Sequence, residues 1–386
     1  MATGRTFLDA ADRAPLHPAA RAAYLRALDE GWADPRRLHS EGRRARSLLD
    51  GARSAVAASL GARTEEIFWS GSHTASLHAA VRGVARGRRR VGRAIVVSAV
   101  ERAAMLAAAD FVAGEPWGPG PGSRVVIGVD RFGRVDTRAL LDAVAAPGVA
   151  LAALQLANGE VGTVQPVAEV AEAARRAGVP LLVDAGAAVG HAELPDAWDV
   201  LAANPGDWGG PGGIGVLVTR AGVRRSPDWP DDEDRWFPGG VSVPAALAAA
   251  VALQVAVSTR SADDAARRAL VDRVRTGVAA SIPDVDVVGD PVHRLPHVVT
   301  FSCLYVEGEA LLGALDARGF AVGSGSACTS SALEPSHVLA AMGALTHGNI
   351  RLALPRGTTS ADVDRFLAEL PGIVAGVREA WGVGGL

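Results

Sequence analysis

"VALAALQLANGEVGTVQPVAEVAEAARRAGVPLLVDAG" (149–186) reads as strand, helix and strand in succession. The run 149–155 is apolar up to its last residue, Gln155, as a strand buried on both faces should be. Residues 166–178 carry apolar positions at helical spacing, with Pro166 in the first turn and Gly178 at the end. The run 179–186 is a second apolar strand that ends on an acid, Asp184. Two apolar strands joined by an amphipathic helix predict parallel pairing through a crossover.

The same alternation extends outward. "EEIFWSG" (65–71), "RAIVVSA" (93–99), "RVVIGV" (124–129) and "WDVLAAN" (198–204) read as strands. Helices fall at 17–30, 41–60, 72–85, 102–112 and 136–145, the last capped by Asp136. The expectation is an α/β fold with a mainly parallel, doubly wound sheet over roughly residues 65–220. After Pro244 the pattern changes. Two helical stretches, 244–259 and 261–280, lead to short strands at 284–289, 297–304, 320–323 and 349–354. Helices at 307–318, 335–343 and 359–381 complete a smaller α+β unit. We expect a large domain at 16–250, and a small one built from 1–15 and 251–386.

Composition sets chemical limits. All 39 basic residues are arginine, so no side-chain amine can form an imine or serve as a lysine base. The net charge of −3 gives no bulk attraction to nucleic acid or an anionic membrane. The arginine run at 82–93 reads as a solvated connection. Two cysteines, Cys303 and Cys328, cannot make a disulfide framework and suit a reducing cytosol. No signal core is expected at the start, no apolar stretch long enough for a bilayer, and no metal spacing among the histidines.

The residues able to carry chemistry are few. Cys328 lies in "GSGSACTSSALEPS" (323–336), a small and polar loop where packing demands no thiol. Cys303 sits in the apolar run "VVTFSCL" and reads as core. "WSGSHT" (69–74) ends a strand and opens a helix, so Ser72 and His73 stand where backbone N–H groups can cup an anion or where a plain cap is needed. Asp184 stands at the C-terminal end of a parallel strand, where such sheets bind ligands. Arg351, inside "NIRLAL", needs an anionic partner: a substrate carboxylate or a structural acid. Asp207 lies on a polar elbow between two apolar runs, in "LAANPGDWGGPGGIGVLV" (201–218).

Together these segments resemble the cysteine desulfurases of the class V aminotransferase fold. The resemblance runs from "TFLDAADRAPLHP" to "NIRLALPRGTTSADVDRFL" and is most specific at "GSGSACTSSALEPSHVLAAMG", which is similar to the family's mobile persulfide loop. It implies a homodimer that uses pyridoxal phosphate (PLP) to take sulfur from L-cysteine. Cys328 falls on the sulfur-accepting cysteine, Asp184 on the partner of the pyridine nitrogen, and Arg351 on the holder of the substrate carboxylate. Ser72, His73, Arg102 and Asn158 fall on segments that surround the cofactor.

The sequence departs from that pattern in the cofactor pocket. The family's His-Lys pair, whose lysine holds PLP, is Gly206-Asp207 here. The ring-stacking histidine falls on Arg102, the phosphate-cup threonine on His73, and the glutamine near the ring oxygen on Ala187. An asparagine-type contact falls on Gly159, and the threonine that reaches across the dimer falls on Gly240. Covalent PLP is therefore not expected. The reading is a homologue with a sulfur-transfer or iron–sulfur accessory role through Cys328. It would be dimeric with itself or with an active desulfurase, and would serve a sulfur acceptor or scaffold protein. A desulfurase holding PLP non-covalently, and a binder of anionic metabolites through Arg102, His73 and Arg351, are the alternatives. Arg102 and Asp207 are expected to pair in the vacated pocket.

Overall fold

The computed structural model describes residues 4–116, 122–226, 228–229, 237–325 and 335–382. Along the chain run β1 (Thr6–Phe7), α1 (Pro18–Glu30), α2 (Ser40–Leu60), β2 (Ile67–Ser70), α3 (His73–Gly87), β3 (Ala94–Ser98) and α4 (Ala103–Gly114). Then come β4 (Ser123–Ile127), α5 (Thr137–Ala145), β5 (Val149–Gln155), α6 (Val167–Ala177), β6 (Leu181–Asp184), β7 (Val200–Ala203) and β8 (Gly215–Thr219). The long α7 (Val243–Ser281) leads to β9 (Val285–Val288), β10 (Val298–Cys303), α8 (Gly308–Ala317), β11 (Phe320–Ala321), α9 (His337–Met342), β12 (Asn349–Ala353) and α10 (Ser360–Ala380).

The central sheet has the order β2-β8-β7-β6-β5-β3-β4. Pairings from β4 to β7 are parallel, and β8 runs antiparallel to both its neighbours. The fold is thus the α/β, mainly parallel sheet read from 149–186. All seven residues of β5 are buried, which is why that strand shows no polar alternation. Its four-residue neighbour β6 is equally covered and carries Asp184 into the interior at its last position. Helix α6 ends at Gly178, whose φ of 65° is the left-handed conformation that closes helices. Pro166 is the residue before that helix rather than within its first turn.

A second core gathers around the antiparallel sheet β12-β10-β9, with Phe301, Phe320, Phe366 and Leu370 fully buried. Strand β1 pairs in parallel with β11 and so ties the N-terminus to this region.

One helix replaces the two expected after Pro244. Helix α7 is continuous over 39 residues, because "VSTRSADDA" holds no glycine or proline to break it. Its first half is also long and apolar enough to cross a membrane by length and composition, contrary to the expectation from sequence. Here that half is core: Ala245, Ala246, Ala249, Ala252, Leu253 and Ala256 are buried with residues of α1, α2 and the central sheet.

Candidate functional site

Four loops converge at the C-terminal ends of the parallel strands, the place where open α/β sheets offer a crevice. After β2, Ser70-Gly71-Ser72 turns into α3. Ser72 Oγ accepts the Ala75 N–H at 3.0 Å, so this serine caps the helix. His73, the first helical residue, is carried into the interior at 6% exposure. After β3, Arg102 stands just ahead of α4. After β6 comes Asp184, 3% exposed. After β7, the chain makes one 3-10 turn, Pro205–Trp208, that holds Asp207 at 2% exposure. Trp208 fixes this elbow: it is buried, and its Nε1 donates to the Ala249 carbonyl of α7 at 3.1 Å.

The N-terminal segment completes the site. It crosses from β12 to the elbow on backbone hydrogen bonds from Ala10 to Ala353, Ala14 to Gly206 and His17 to Gly209. Asp12 sits midway with φ of 63°, a conformation that L residues adopt rarely and that Asp tolerates better than most. That bend aims its two ends in different directions. The Asp12 N–H donates to Asp207 Oδ1 at 3.0 Å, and the Asp12 carboxylate takes Arg102 Nη1 at 2.6 Å. Asn204 Nδ2 donates both to the Asp12 carbonyl, at 3.0 Å, and to Asp207 Oδ2, at 2.7 Å.

The expected Arg102–Asp207 pair is therefore corrected. Arg102 pairs with Asp12 at 2.6 Å and lies 3.5 Å from Asp184 Oδ2 through its Nε. Asp207 is instead held by N–H donors. The reason is Asp12, which supplies a nearer carboxylate to the guanidinium and a backbone donor to the acid. Asp184 Oδ1 meets His73 Nε2 at 2.8 Å and accepts the Gly186 N–H at 2.9 Å. Gly159 and Ala187 lie beside Arg102: a Cβ on Gly159 would stand 3.3 Å from Ala187 Cβ and 3.9 Å from the guanidinium.

The electrostatics follow from burial and these partners. Burial alone would raise Asp184, but His73 and Arg102 together hold its carboxyl well below the usual range. Burial would likewise lower Arg102, and the Asp12, Asp184 and Asp207 carboxylates more than offset it. Asp12 is lowered by Arg102. Asp207 goes the other way: burial pushes it well up, Asp12 adds to the shift, and Arg102 with the two N–H donors opposes it only in part. Glu101, next in the chain to Arg102, is also raised well above its ordinary value by burial. Its Oε1 accepts the Gln155 N–H at 3.0 Å.

Other residues singled out from sequence take supporting parts. Asn158 is spent on its own loop: its Oδ1 accepts the N–H groups of Glu160 and Val161, and its Nδ2 donates to the Val100 carbonyl. Arg351, 7% exposed, meets Asp9 at 3.2 Å, the structural acid that was one of its two options. Gly240, before α7, has φ of 83°, a conformation that favours glycine. Cys303 is core, and burial pushes its thiol up to about 11. Cys328 lies outside the described residues. Sequence reasoning missed Asp12, Asn204 and Asp9. A largely covered Arg102 does call for an acid, but nothing in the sequence says which.

Comparison with known proteins gives the lineage. The Aminotransferase class-V family matches residues 6–366. A cysteine desulfurase of Cereibacter sphaeroides is 37% identical over 385 residues, covering 97% of each chain. An IscS-like cysteine desulfurase of Mycobacterium tuberculosis is 37% identical over 389 residues, with the same coverage. Among solved structures, a NifS-like protein superposes with a TM-score of 0.87 at 24% identity, covering 96% of this chain and 99% of that one. DndA from Streptomyces lividans gives 0.74 at 26% identity, covering 91% of this chain and 100% of that one. The chain belongs to the class V aminotransferase family and, within it, to the cysteine desulfurases, whose cofactor is PLP.

Proposed function

We propose that this protein is a cysteine-desulfurase homologue that no longer carries PLP and instead takes part in sulfur transfer. The observation that carries the reading is Asp207. At the position where the resemblance places the cofactor's lysine, the chain has a buried acid whose two oxygens accept N–H groups from Asp12 and Asn204. The acid is integrated into the fold, and no side-chain amine elsewhere in the sequence can replace the lysine. The residues present do not fit PLP. The His73 ring already sits 2.8 Å from Asp184 Oδ1, and Arg102 stands on the Oδ2 side, so the carboxylate's surroundings are occupied where a pyridine nitrogen would come. Arg351 already faces Asp9. The same pairings weigh against a site for anionic metabolites, whose arginines here meet acids of the chain itself.

Sulfur handling falls to Cys328, whose loop keeps the family pattern. Its thiolate would take the terminal sulfur of a donor persulfide; the S–S bond of the donor breaks, and the donor leaves as a thiolate. The exchange needs no external oxidant or reductant. The donor is an active desulfurase, paired with this chain or met in passing, and the acceptor is an iron–sulfur or thiolation protein. A reducing cytosol suits such a thiol.

The test has two parts. Protein purified with PLP present should show no visible absorption band after dialysis and no coenzyme adduct after borohydride reduction. Incubation with a persulfide donor should place labelled sulfur on Cys328, with none on Cys328→Ser. A retained yellow coenzyme, or an unlabelled Cys328, overturns the proposal.

A further inference from the structure

We propose that His73 is a built-in plug: its imidazole fills the slot that Asp184 offers to a planar nitrogen heterocycle, and it is the residue that decides what this pocket refuses. The inference deepens the proposed function and rests on it for the claim that PLP is not held.

The argument starts from Asp184. A carboxylate that is 3% exposed must be given donors, because an uncompensated buried charge is costly. Gly186 supplies one backbone N–H and Arg102 a more distant contact at 3.5 Å. The short side-chain contact, 2.8 Å, comes from His73 Nε2. Imidazole supplies a ring N–H in a flat aromatic body, so the slot is shaped for a ring with a nitrogen at its edge.

Two further features show that the ring is fitted into this slot. Gly186 makes room for it: a Cβ there would lie 2.7 Å from His73 Nε2 and 3.0 Å from the adjacent ring carbon, closer than side chains stand. The opposite ring nitrogen, Nδ1, is buried and has no hydrogen-bond partner among the described residues. Leaving a buried ring nitrogen unmet costs free energy, and the short contact of Nε2 with Asp184 is set against that cost. The position is set by what Nε2 does for Asp184.

Truncating the ring therefore exposes two things at once, a void of ring shape and, at its end, a carboxylate that has lost its short side-chain donor. That combination selects small heteroaromatic bases, with imidazole the closest match, and a pyridine nitrogen the next. The intact protein refuses both.

The experiment compares wild type, His73→Ala and His73→Gln in thermal unfolding with and without imidazole. His73→Ala should melt lower than wild type and recover with imidazole. At ten times the dissociation constant the ligand raises the folded-to-unfolded ratio about tenfold. Wild type and His73→Gln, which keeps an N–H donor and most of the volume, should not respond. Equilibrium dialysis against pyridoxine, which has the pyridine nitrogen but no aldehyde, should give binding to His73→Ala and none to wild type. Absence of an imidazole response in folded His73→Ala overturns the plug. Measurable pyridoxine binding by wild type also overturns it, and this arm stands if His73→Ala does not fold. None of these readouts involves Cys328, so failure of the sulfur-transfer reading is seen separately.

Discussion

The elbow at Pro205–Trp208 has two faces, and they are built from opposite materials. On the pocket face, the Asp207 side chain meets Asp12 and Asn204, and beyond them Arg102, Asp184 and His73 form a chain of acids and bases. On the rear face, the Asp207 carbonyl accepts a hydrogen bond from His191 Nε2 at 2.9 Å. His191 Nδ1 in turn accepts from Arg267 at 3.1 Å, which fixes the ring as neutral with its proton on Nε2. His297 stacks on His191 with 3.9 Å between ring centroids. The pocket face thus balances charge against charge. The rear face excludes charge from two imidazoles that lie beside Arg267 and Arg356. The difference shows how one four-residue turn is held from both sides: by N–H donors at the edge of an ion-pair network on one, and by neutral rings where it packs on α7 on the other.

That contrast can be broken at several points. The largest effect should come from the anchor common to both faces. Trp208→Ala removes a fully buried indole and its bond to Ala249, and should cost about 3–5 kcal/mol in denaturant unfolding. Next comes the pocket face alone. Arg102→Met leaves Asp12 and Asp184 without their guanidinium and should cost about 1–3 kcal/mol at neutral pH, less at acid pH where those carboxylates are protonated. A pH-independent loss would show that the pairs contribute packing and not charge.

The rear face should answer to acid. Burial, then neighbouring positive or imidazole groups, depresses both His191 and His297 well below 6.5. A depressed histidine is neutral when folded and protonated when unfolded. Its stabilising contribution is complete above pH ~6.5 and is lost as pH falls from there toward the folded value. Asp207 and Glu101, raised by burial, act in the opposite sense: their burial costs stability above the ordinary carboxylate range, and that cost fades as acid protonates them. Replacing His297 by Phe isolates the first term. The variant should lose less stability than wild type between pH 6.5 and 5, and equal slopes would mean that the stacked pair does not titrate. The smallest effect is local: Ser72→Ala removes the α3 cap and should cost about 1 kcal/mol without changing the pH profile.

How much of this was legible in the sequence depends on the range of the forces involved. Strands such as 149–155 and helices such as 166–178 declare themselves through local hydrophobic period and end signals, and the structure places β5 and α6 there. The expected division into 244–259 and 261–280 is absent from the continuous α7. A helix interior tolerates exposed polar residues, and its continuity depends on neighbours that the sequence does not display. Within the site, Asp184, His73 and Arg102 were named and are in contact, but the partner given to Arg102 was wrong.

What the sequence determined by itself is compositional and local: a βαβ alternation, an acid at the end of β6, and a chain with no ε-amine to offer. What the tertiary structure decided is who neutralises whom. Asp12 reaches Asp207 across 195 residues and Arg102 across 90, and His73 reaches Asp184 across 111. Ion pairing depends on distance in space and on shared burial, and neither is encoded in the spacing of residues along the chain.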